Sequence, residues 1–488
     1  MLFNSFQYIL LFLPLAVAGY FLLARCPSLL PVRLWLLGCS LFFYGWWTPK
    51  NLPLILGSIA VNYLAARLMG RGGSRDRGLL ALGLLFDIFL LGYFKYRNFF
   101  MENLAVLVGD SFTAPRLVLP LAISFFTLQQ IAFLVDVREG RARPGDLLDY
   151  ATFVAFFPQL IAGPIVHHSE IMPQLADPAT KRPDFGNMAR GLTYFAIGLF
   201  KKVVVADTFA RVADAGFAAP AGLSAVESLA AILSYTFQLY YDFGGYMDMA
   251  IGAALLFNIR LPINFDSPFK SRDIIEFWRR WHITLSNFIT AYIYTPLVRS
   301  LGRFTLGKSL LGIGVTMLVA GLWHGAAWTF IIFGGIHGAA LIVNHLWRRR
   351  GVRLPGLVGQ VLTFAVTVVS LCFFRAPSAG GACVMLGDLA GGHGLFPSLT
   401  PAAGPAGLLA GLAESALFHG MGGFDLLTGT LVAAAAGVWT FTMPNSHQMV
   451  GPNFAPSRGR LLLTTACLVI GLVYINSFPE KVFLYFDF

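Results

Sequence analysis

Apolar runs long enough to cross a lipid bilayer recur along this 488-residue chain. A spanning helix needs roughly 20 apolar residues, because each residue advances the helix by about 1.5 Å. Charged residues make up only 12% of the chain and hydrophobic residues 57%, whereas about a quarter of the residues of a soluble domain are charged. The sequence therefore predicts an all-α, polytopic transmembrane protein with about 11 to 13 membrane segments.

Basic residues outnumber acidic ones, with 35 Lys and Arg against 24 Asp and Glu. Cytoplasmic loops of membrane proteins collect Lys and Arg, so this excess requires no nucleic-acid partner and we expect none. Placing the loops that carry Arg71, Lys201 and Arg348 in the cytoplasm puts the amino terminus outside it. The same scheme places the carboxyl terminus outside as well.

Two apolar runs in the middle of the chain contain helix breakers. Pro158, Gly163 and Pro164 interrupt the run over residues 150–166, and Gly244 and Gly245 interrupt the run over residues 229–257. Irregular backbone at membrane depth is tolerated only where other protein or a water-filled cavity covers it. We therefore predict re-entrant segments around an internal cavity.

Two further segments differ from the apolar runs. Residues 258–281 mix aromatic and charged residues with two prolines, which predicts an amphipathic stretch at the cytoplasmic surface. Residues 377–423 are rich in Gly, Ala and Pro, which predicts an outer loop with short helices. Neither resembles a separate soluble domain, so we assign residues 1–488 to one domain, with a catalytic core at roughly 117–346.

His324 lies inside an apolar run with no charged neighbour in sequence. An ionisable group within the hydrocarbon region is costly and by default a functional candidate. Desolvation favours the neutral imidazole, which can accept the proton of a hydroxyl in acyl transfer. The alternative is a buried histidine hydrogen-bonded to another helix.

Two other histidines have structural alternatives. His337 follows His324 on the next run, and the two can share a site only if the helix breaks or turns back; we interpret His337 as structural. His282 follows Trp278 and two arginines, so an interfacial anchor is the alternative to a catalytic role.

Other polar residues are candidates for substrate contact. Tyr241, Asp242 and Asp248 lie in an otherwise apolar segment and form either the polar wall of a chamber or a structural salt bridge. A basic cluster matches either the phosphates of a cytosolic donor or the ordinary flank of a membrane helix; it comprises Lys270, Arg272, Arg279 and Arg280. The sequence contains no P-loop, no GxSxG, no HExxH, no dinucleotide fingerprint and no clustered metal ligands, so we expect no bound cofactor and no metal.

Four ordered motifs resemble the membrane-bound O-acyltransferase family. They are FFPQLIAGPI (156–165), YYDFGGYMD (240–248), FWRRWHITLS (277–286) and LWHGA (322–326). The resemblance runs from MLFNS at the start to the aromatic carboxyl end. It is greatest to the branch that O-acetylates alginate and smaller to the teichoic acid D-alanyl transferases.

The resemblance implies a ring of helices around a funnel that joins cytosol and periplasm in a bacterial inner membrane. It implies acetyl transfer from a cytosolic thioester, here acetyl-CoA, with the invariant family histidine at His324 and the second at His282. His282 would position the thioester or complete a polar relay. Trp281 and Trp323 would line the chamber with Tyr241, Asp242 and Asp248. In the polysaccharide branch, the acetyl group passes to a periplasmic SGNH-type serine acetyltransferase.

The chain departs from this branch after His282. Relatives commonly read RDYxYxPLGG, whereas residues 290–299 read TAYIYTPLVR. The acceptor therefore stays open among alginate, cellulose, peptidoglycan and other exopolysaccharides. Two rival functions are direct acylation of a lipid or lipid-linked glycan, and transport of a polysaccharide precursor. Transporters often show internal repeats, and this sequence shows none.

Overall fold

The protein is all-α in a computed structural model that describes residues 1–70, 73–109, 117–352, 354–395, 423–451, 453–477 and 483–484. No β-strand occurs among these residues. The described chain forms two compact units. The first comprises residues 1–199, 246–264 and 450–488, and the second comprises residues 200–245 and 265–449.

Helices long and apolar enough to cross a membrane confirm the polytopic fold. Among the described residues there are six, at Pro49–Leu68, Ser74–Val108, Leu306–His324, Trp328–Arg349, Gly356–Arg375 and Arg458–Ser477. Shorter apolar helices lie at Gln7–Leu23, Leu30–Gly45 and Leu431–Thr442. The sequence count of about 11 to 13 segments also included apolar runs that fold into shorter or bent helices.

The first unit contains most of the amino-terminal helices. They are α1 (Leu13–Leu23), α2 (Leu30–Gly45), α3 (Leu52–Leu68), α4 (Ser74–Leu91), α5 (Arg97–Val108), α6 (Ile123–Arg138), α7 (Leu147–Ala155), α8 (Phe157–Leu160), α9 (His168–Ala176) and nearly all of α10 (Phe185–Phe200). Polar side chains join these helices inside the unit. Asn62 on α3, for example, donates to Asp87 on α4 at 2.9 Å, which satisfies an oxygen of a fully buried carboxyl group.

The second unit holds α11 (Asp207–Ala218), much of α12 (Ala225–Leu255), α13 (Ile274–Arg280), α14 (Ile283–Ile289) and α15 (Thr295–Ser300). It also holds α16 (Leu306–His324), α17 (Trp328–Arg349), α18 (Gly356–Arg375), α19 (Ala379–Asp388), α20 (Gly423–Thr442) and α21 (Ser446–Met449). The last helix, α22 (Arg458–Ser477), belongs to the first unit.

Several helices widen or tighten locally. Wider π-helical turns lie at Gln7–Phe12, Gly92–Tyr96, Lys201–Ala206 and Thr290–Tyr294, and 3₁₀ turns at Pro49–Asn51, Pro178–Lys181 and Pro268–Lys270. Such π-turns often accompany functional sites, because they shift the side chains on one helix face.

The predicted break at Pro158 is confirmed. Helix α7 ends at Ala155, a single turn follows at Phe157–Leu160, and the next helix begins at His168. Gly163 packs against its own turn, where an added Cβ would lie 2.4 Å from the Cα of Gln159. No side chain larger than hydrogen fits this tight return of the chain.

The predicted break at Gly244 and Gly245 is wrong. Both residues lie within α12, which runs without interruption over Ala225–Leu255. Glycine costs a helix only about 1 kcal/mol per residue relative to alanine. Inside an apolar, buried environment, the helical hydrogen bonds of the backbone outweigh that cost.

The two segments that differ from the apolar runs, residues 258–281 and 377–423, are only partly helical where the structure describes them. Residues 258–281 contain one 3₁₀ turn and the short helix α13, with left-handed backbone at Asn258 and Ser267. In the segment 377–423, for which the sequence predicts an outer loop with short helices, the structure shows a short helix at Ala379–Asp388. Residues 396–422, including His419, lie outside the described residues.

Candidate active site

His324 is the last residue of α16, and the chain then turns back into α17 at Trp328. The two helices approach closely at glycines. A Cβ on Gly321 would lie 2.3 Å from the carbonyl oxygen of Phe330, and one on Gly334 would lie 2.3 Å from that of Met317. The glycines thus allow the helical hairpin that holds the His324 side chain, which is 4% exposed.

His282 lies in the sharp turn between α13 and α14. Its backbone is left-handed, with φ of 44°, a conformation that histidine adopts more readily than most non-glycine residues. Asp273 caps α13 by accepting from the backbone N–H groups of Ile275 at 2.9 Å and Glu276 at 3.0 Å. His282 is fully buried, so it is not an exposed interfacial anchor.

The structure brings these two histidines together. Their ring centroids lie 6.2 Å apart, and the indole of Trp323 lies 5.0 Å from His324 and 6.3 Å from His282. We call His282, Trp323 and His324 the histidine cluster. Two imidazoles from separate helical segments therefore share one buried site.

Aromatic rings surround the histidine cluster. Phe374 and Phe333 lie 5.3 Å and 5.8 Å from the His324 ring, and Phe243 lies 4.9 Å from the His282 ring. Burial in these surroundings lowers the pKa of His282 to about 3, because the charged imidazolium loses its hydration. His282, which lies outside the six candidate spans, is neutral at physiological pH.

His337 lies close to the histidine cluster because the chain reverses direction between α16 and α17. Phe333 contacts both His324 and His337, the latter at 4.7 Å. The His337 Nε2 is 2.8 Å from the hydroxyl of Ser370 on α18. This hydrogen bond between two helices supports the structural interpretation of His337.

The predicted chamber residues have specific partners. Asp242 is almost fully buried and forms an ion pair with Lys202 at 2.7 Å, so the salt-bridge alternative describes this residue. The hydroxyl of Tyr241 is 2.8 Å from that of Thr440 and donates to the carbonyl oxygen of Ala436 at 2.9 Å. Asp248 is also buried, and it belongs to the first unit.

Trp281 lies beside the histidine cluster in sequence and joins an aromatic cluster in space. Its ring is 5.0 Å from Phe265 and 5.6 Å from Phe277, and Tyr240 lies 6.4 Å away. Trp281 and Trp323, which directly precede the two histidines in sequence, are therefore both buried.

The four basic residues of the predicted donor site differ in their surroundings. Lys270 donates to the carbonyl oxygen of Met443 at 2.6 Å; burial and the neighbouring Arg280 lower the pKa of Lys270, against the opposing effect of Asp266. Arg280 pairs with Glu276 at 2.9 Å. Arg272 and Arg279 are exposed.

Sequence reasoning missed several neighbours of the site. Lys202 is not among the residues predicted for the site, yet its side chain is buried against Asp242 and Asp207. A lysine and an aspartate in separate apolar runs are a signal for such a pair, because neither charge is stable there alone. Phe374 and Phe333 gave no signal, since nothing local distinguishes them from other core phenylalanines.

Comparison with known proteins assigns the chain to a family. The profile of the membrane-bound O-acyltransferase family matches residues 141–378, a range that includes the histidine cluster. A peptidoglycan O-acetyltransferase of Helicobacter pylori is 40% identical over 100% of this chain and 98% of its own length. The chain belongs to the membrane-bound O-acyltransferase family. This acyltransferase is an integral membrane protein.

Other relatives are named for different activities. A probable alginate O-acetylase of Azotobacter vinelandii is 39% identical to the acyltransferase over 77% of this chain and 75% of its own length. A teichoic acid D-alanyltransferase of Streptococcus thermophilus is 27% identical, over 63% of this chain and 80% of its own length. The sequence resemblance to the family is thus confirmed, and these relatives act on more than one polymer.

Proposed function

We propose that this acyltransferase moves an acetyl group from acetyl-CoA in the cytosol to an acceptor outside it, for O-acetylation of a cell-envelope polysaccharide. The observation that carries the proposal is the 6.2 Å separation of the His282 and His324 rings in a buried site. A buried neutral imidazole is suited to accept a hydroxyl proton, and a second one beside it is suited to orient the reacting groups.

The reaction requires one proton transfer in each direction. His324 takes the proton of the acceptor hydroxyl as its oxygen attacks the thioester carbonyl carbon. The C–S bond of the tetrahedral intermediate then breaks, the proton passes to the leaving thiolate, and the acetyl ester remains on the acceptor. His282 assists by positioning the thioester or by extending the polar relay. The aromatic surroundings of both rings limit competing hydrolysis, because they exclude water.

Peptidoglycan is the first acceptor polymer to test, because the relative named for it aligns along the whole chain. Alginate is the second acceptor to test, because relatives named for alginate align over about three quarters of this chain. We propose that a periplasmic SGNH-type serine acetyltransferase receives the acetyl group and completes the transfer. The chain would lie in a bacterial inner membrane with its amino terminus in the periplasm, as the basic loops predict.

The donor would bind through exposed arginines on the segment before His282. Arg272 and Arg279 are solvent-exposed, so their guanidinium groups are accessible to the phosphates of coenzyme A. Arg280 and Lys270 already have partners within the protein, and we expect their contribution to be smaller.

The test uses the purified full-length protein in proteoliposomes with acetyl-labelled coenzyme A. Release of free coenzyme A and transfer of label to an added acceptor are both measured. His324→Ala should lower turnover by about 10²- to 10⁴-fold. The matched control is His345→Ala, since His345 is half-buried on α17 and has no role in the proposed site. Full turnover by His324→Ala would refute the mechanism.

A second arm separates relay from direct acylation. The assay is repeated with and without the periplasmic serine enzyme, with peptidoglycan or alginate fragments as the final acceptor. Strict dependence of polymer acetylation on that enzyme supports the relay. Acetylation of a membrane lipid or lipid-linked glycan in its absence would instead identify direct acylation.

A further inference from the structure

A cavity of about 730 Å³ lies in the first unit, and none of its lining residues is assigned above to catalysis. It forms where the end of α3 and the start of α4 meet the loop that follows α6. Its charged lining residues are Arg67, Asp76, Arg138 and Arg143. We call this cavity the arginine pocket.

The arginine pocket carries excess positive charge. Three guanidinium groups face one carboxylate in its lining. Other acidic side chains at the end of α6 and in this loop have partners elsewhere. Arg141 lies 3.0 Å from Asp136 and 2.5 Å from Glu139, and Asp146 pairs with Arg33. Those carboxylates are therefore engaged outside the lining.

Arg138 is incompletely satisfied. Its Nε is buried and has no hydrogen-bond partner among the described residues. A buried N–H of a charged group is unfavourable when it has no acceptor. An anionic ligand would supply an acceptor for the Nε of Arg138. Arg143 is exposed and forms no ion pair with a described carboxylate, which leaves its guanidinium accessible from the same cavity.

The loop that carries Arg143 is held in place by the protein. The backbone N–H groups of Arg141 and Ala142 donate to the carbonyl oxygen of Asp136 at 2.8 Å and 3.1 Å, and Tyr63 donates to the carbonyl oxygen of Gly145 at 3.2 Å. A preorganised loop loses little conformational entropy when a ligand binds.

The pocket lies at the ends of two candidate membrane spans, where lipid headgroups are expected. Arg67 and Asp76 lie at the facing ends of two candidate membrane spans, Pro49–Leu68 and Ser74–Val108. Apolar side chains such as Met69 and Val137 complete the lining. We propose that the arginine pocket binds a phosphate group, held by Arg138 and Arg143, with the apolar lining against the rest of the ligand.

Two probes distinguish a lipid phosphate from a soluble one. Full-length protein is reconstituted in nanodiscs of phosphatidylethanolamine and phosphatidylglycerol, and native mass spectrometry counts the phosphatidylglycerol retained. In detergent, pyrophosphate is titrated by calorimetry. Binding of the lipid alone identifies a headgroup site, and binding of pyrophosphate alone identifies a site for a soluble phosphate.

Matched variants test the residues. Arg138→Gln/Arg143→Gln should weaken whichever ligand binds by about tenfold or more. Arg75→Gln/Arg77→Gln removes the same charge from exposed positions on α4 outside the lining and should leave binding nearly unchanged. Arg143→Gln alone, at an exposed position, should still weaken binding several-fold if the double variant does not fold. Equal weakening by the two double variants, or binding of neither probe by the wild type, would overturn the proposal.

Discussion

Lys202 lies 2.7 Å from Asp242 inside the second unit, and both side chains are almost fully buried. The same ammonium lies 2.8 Å from Asp207. The residue after Asp242 is Phe243, whose ring packs 4.9 Å from that of His282. The ion pair therefore holds the part of α12 against which the second imidazole rests.

Breaking this pair on one side should destabilise the protein strongly. Lys202→Met leaves Asp242 buried without its cation, which should lower the free energy of unfolding by about 3–5 kcal/mol. Chemical or thermal unfolding in detergent measures the loss. Lys202→Met/Asp242→Leu, which removes both charges, should recover much of the stability.

The neighbouring lysine is the matched control. Lys201 is only half-buried and donates to the hydroxyl of Ser446, so Lys201→Met should cost about 1 kcal/mol. Equal losses for the two single variants would contradict the assignment of the buried ion pair.

The buried imidazole of His282 should make stability depend on pH. Its pKa is about 3 in the folded protein, below the ordinary value of 6.5. Between these values the unfolded chain binds a proton that the folded protein does not. Folded-state stability should therefore fall as pH decreases below about 6.5 and be insensitive to this group above it.

The measurement is the unfolding temperature of wild type and His282→Asn at a series of pH values. The wild type should lose stability more steeply than the variant as the pH is lowered from about 6.5 to about 4. Parallel curves for the two proteins would show that His282 binds its proton over the same pH range in the folded and the unfolded protein. That result would contradict the lowered pKa.

The close approach of α16 and α17 should be sensitive to one methyl group. Gly334→Ala places a Cβ 2.3 Å from the carbonyl oxygen of Met317, so the helices must separate and His324 must shift. We expect a loss of about 1–3 kcal/mol in stability and a loss of at least tenfold in acetyl transfer, since small misplacements of a catalytic group are costly.

The adjacent glycine provides the control for this prediction. A Cβ on Gly335 meets only Leu318 at 3.8 Å, an ordinary van der Waals contact. Gly335→Ala should retain near wild-type turnover and stability in the same assays. Similar losses in both variants would indicate a general effect of alanine on α17 rather than the helix contact.

The Ser370–His337 hydrogen bond separates a structural histidine from a catalytic one. Ser370→Ala removes the 2.8 Å bond to His337 and should lower the free energy of unfolding by about 1–3 kcal/mol, because a buried imidazole nitrogen is left unsatisfied. Turnover per folded molecule should stay close to the wild-type value. A large loss of turnover with unchanged stability would give His337 a catalytic role.

Part of the candidate site could be predicted from local sequence. His324 stands out because an ionisable side chain in an apolar run is costly wherever the run is buried. The Pro158 break was also predictable from local sequence, because proline removes a helical hydrogen bond at its own position. The interruption predicted at Gly244 and Gly245 failed, because glycine weakens a helix by an amount that the surrounding structure can outweigh.

The sequence by itself determined the membrane class, the main apolar helices and His324 as a candidate, because hydropathy and local composition act on each segment independently. His282 became a catalytic candidate only through the resemblance to the family. Only the tertiary structure decided that His282 lies beside His324 and that Lys202 faces Asp242. The contact between the two histidines depends on the left-handed turn at His282 and on the return of the chain into α17 after His324. Periodicity identifies the apolar segments, but the packing of whole helices decides which residues on them meet.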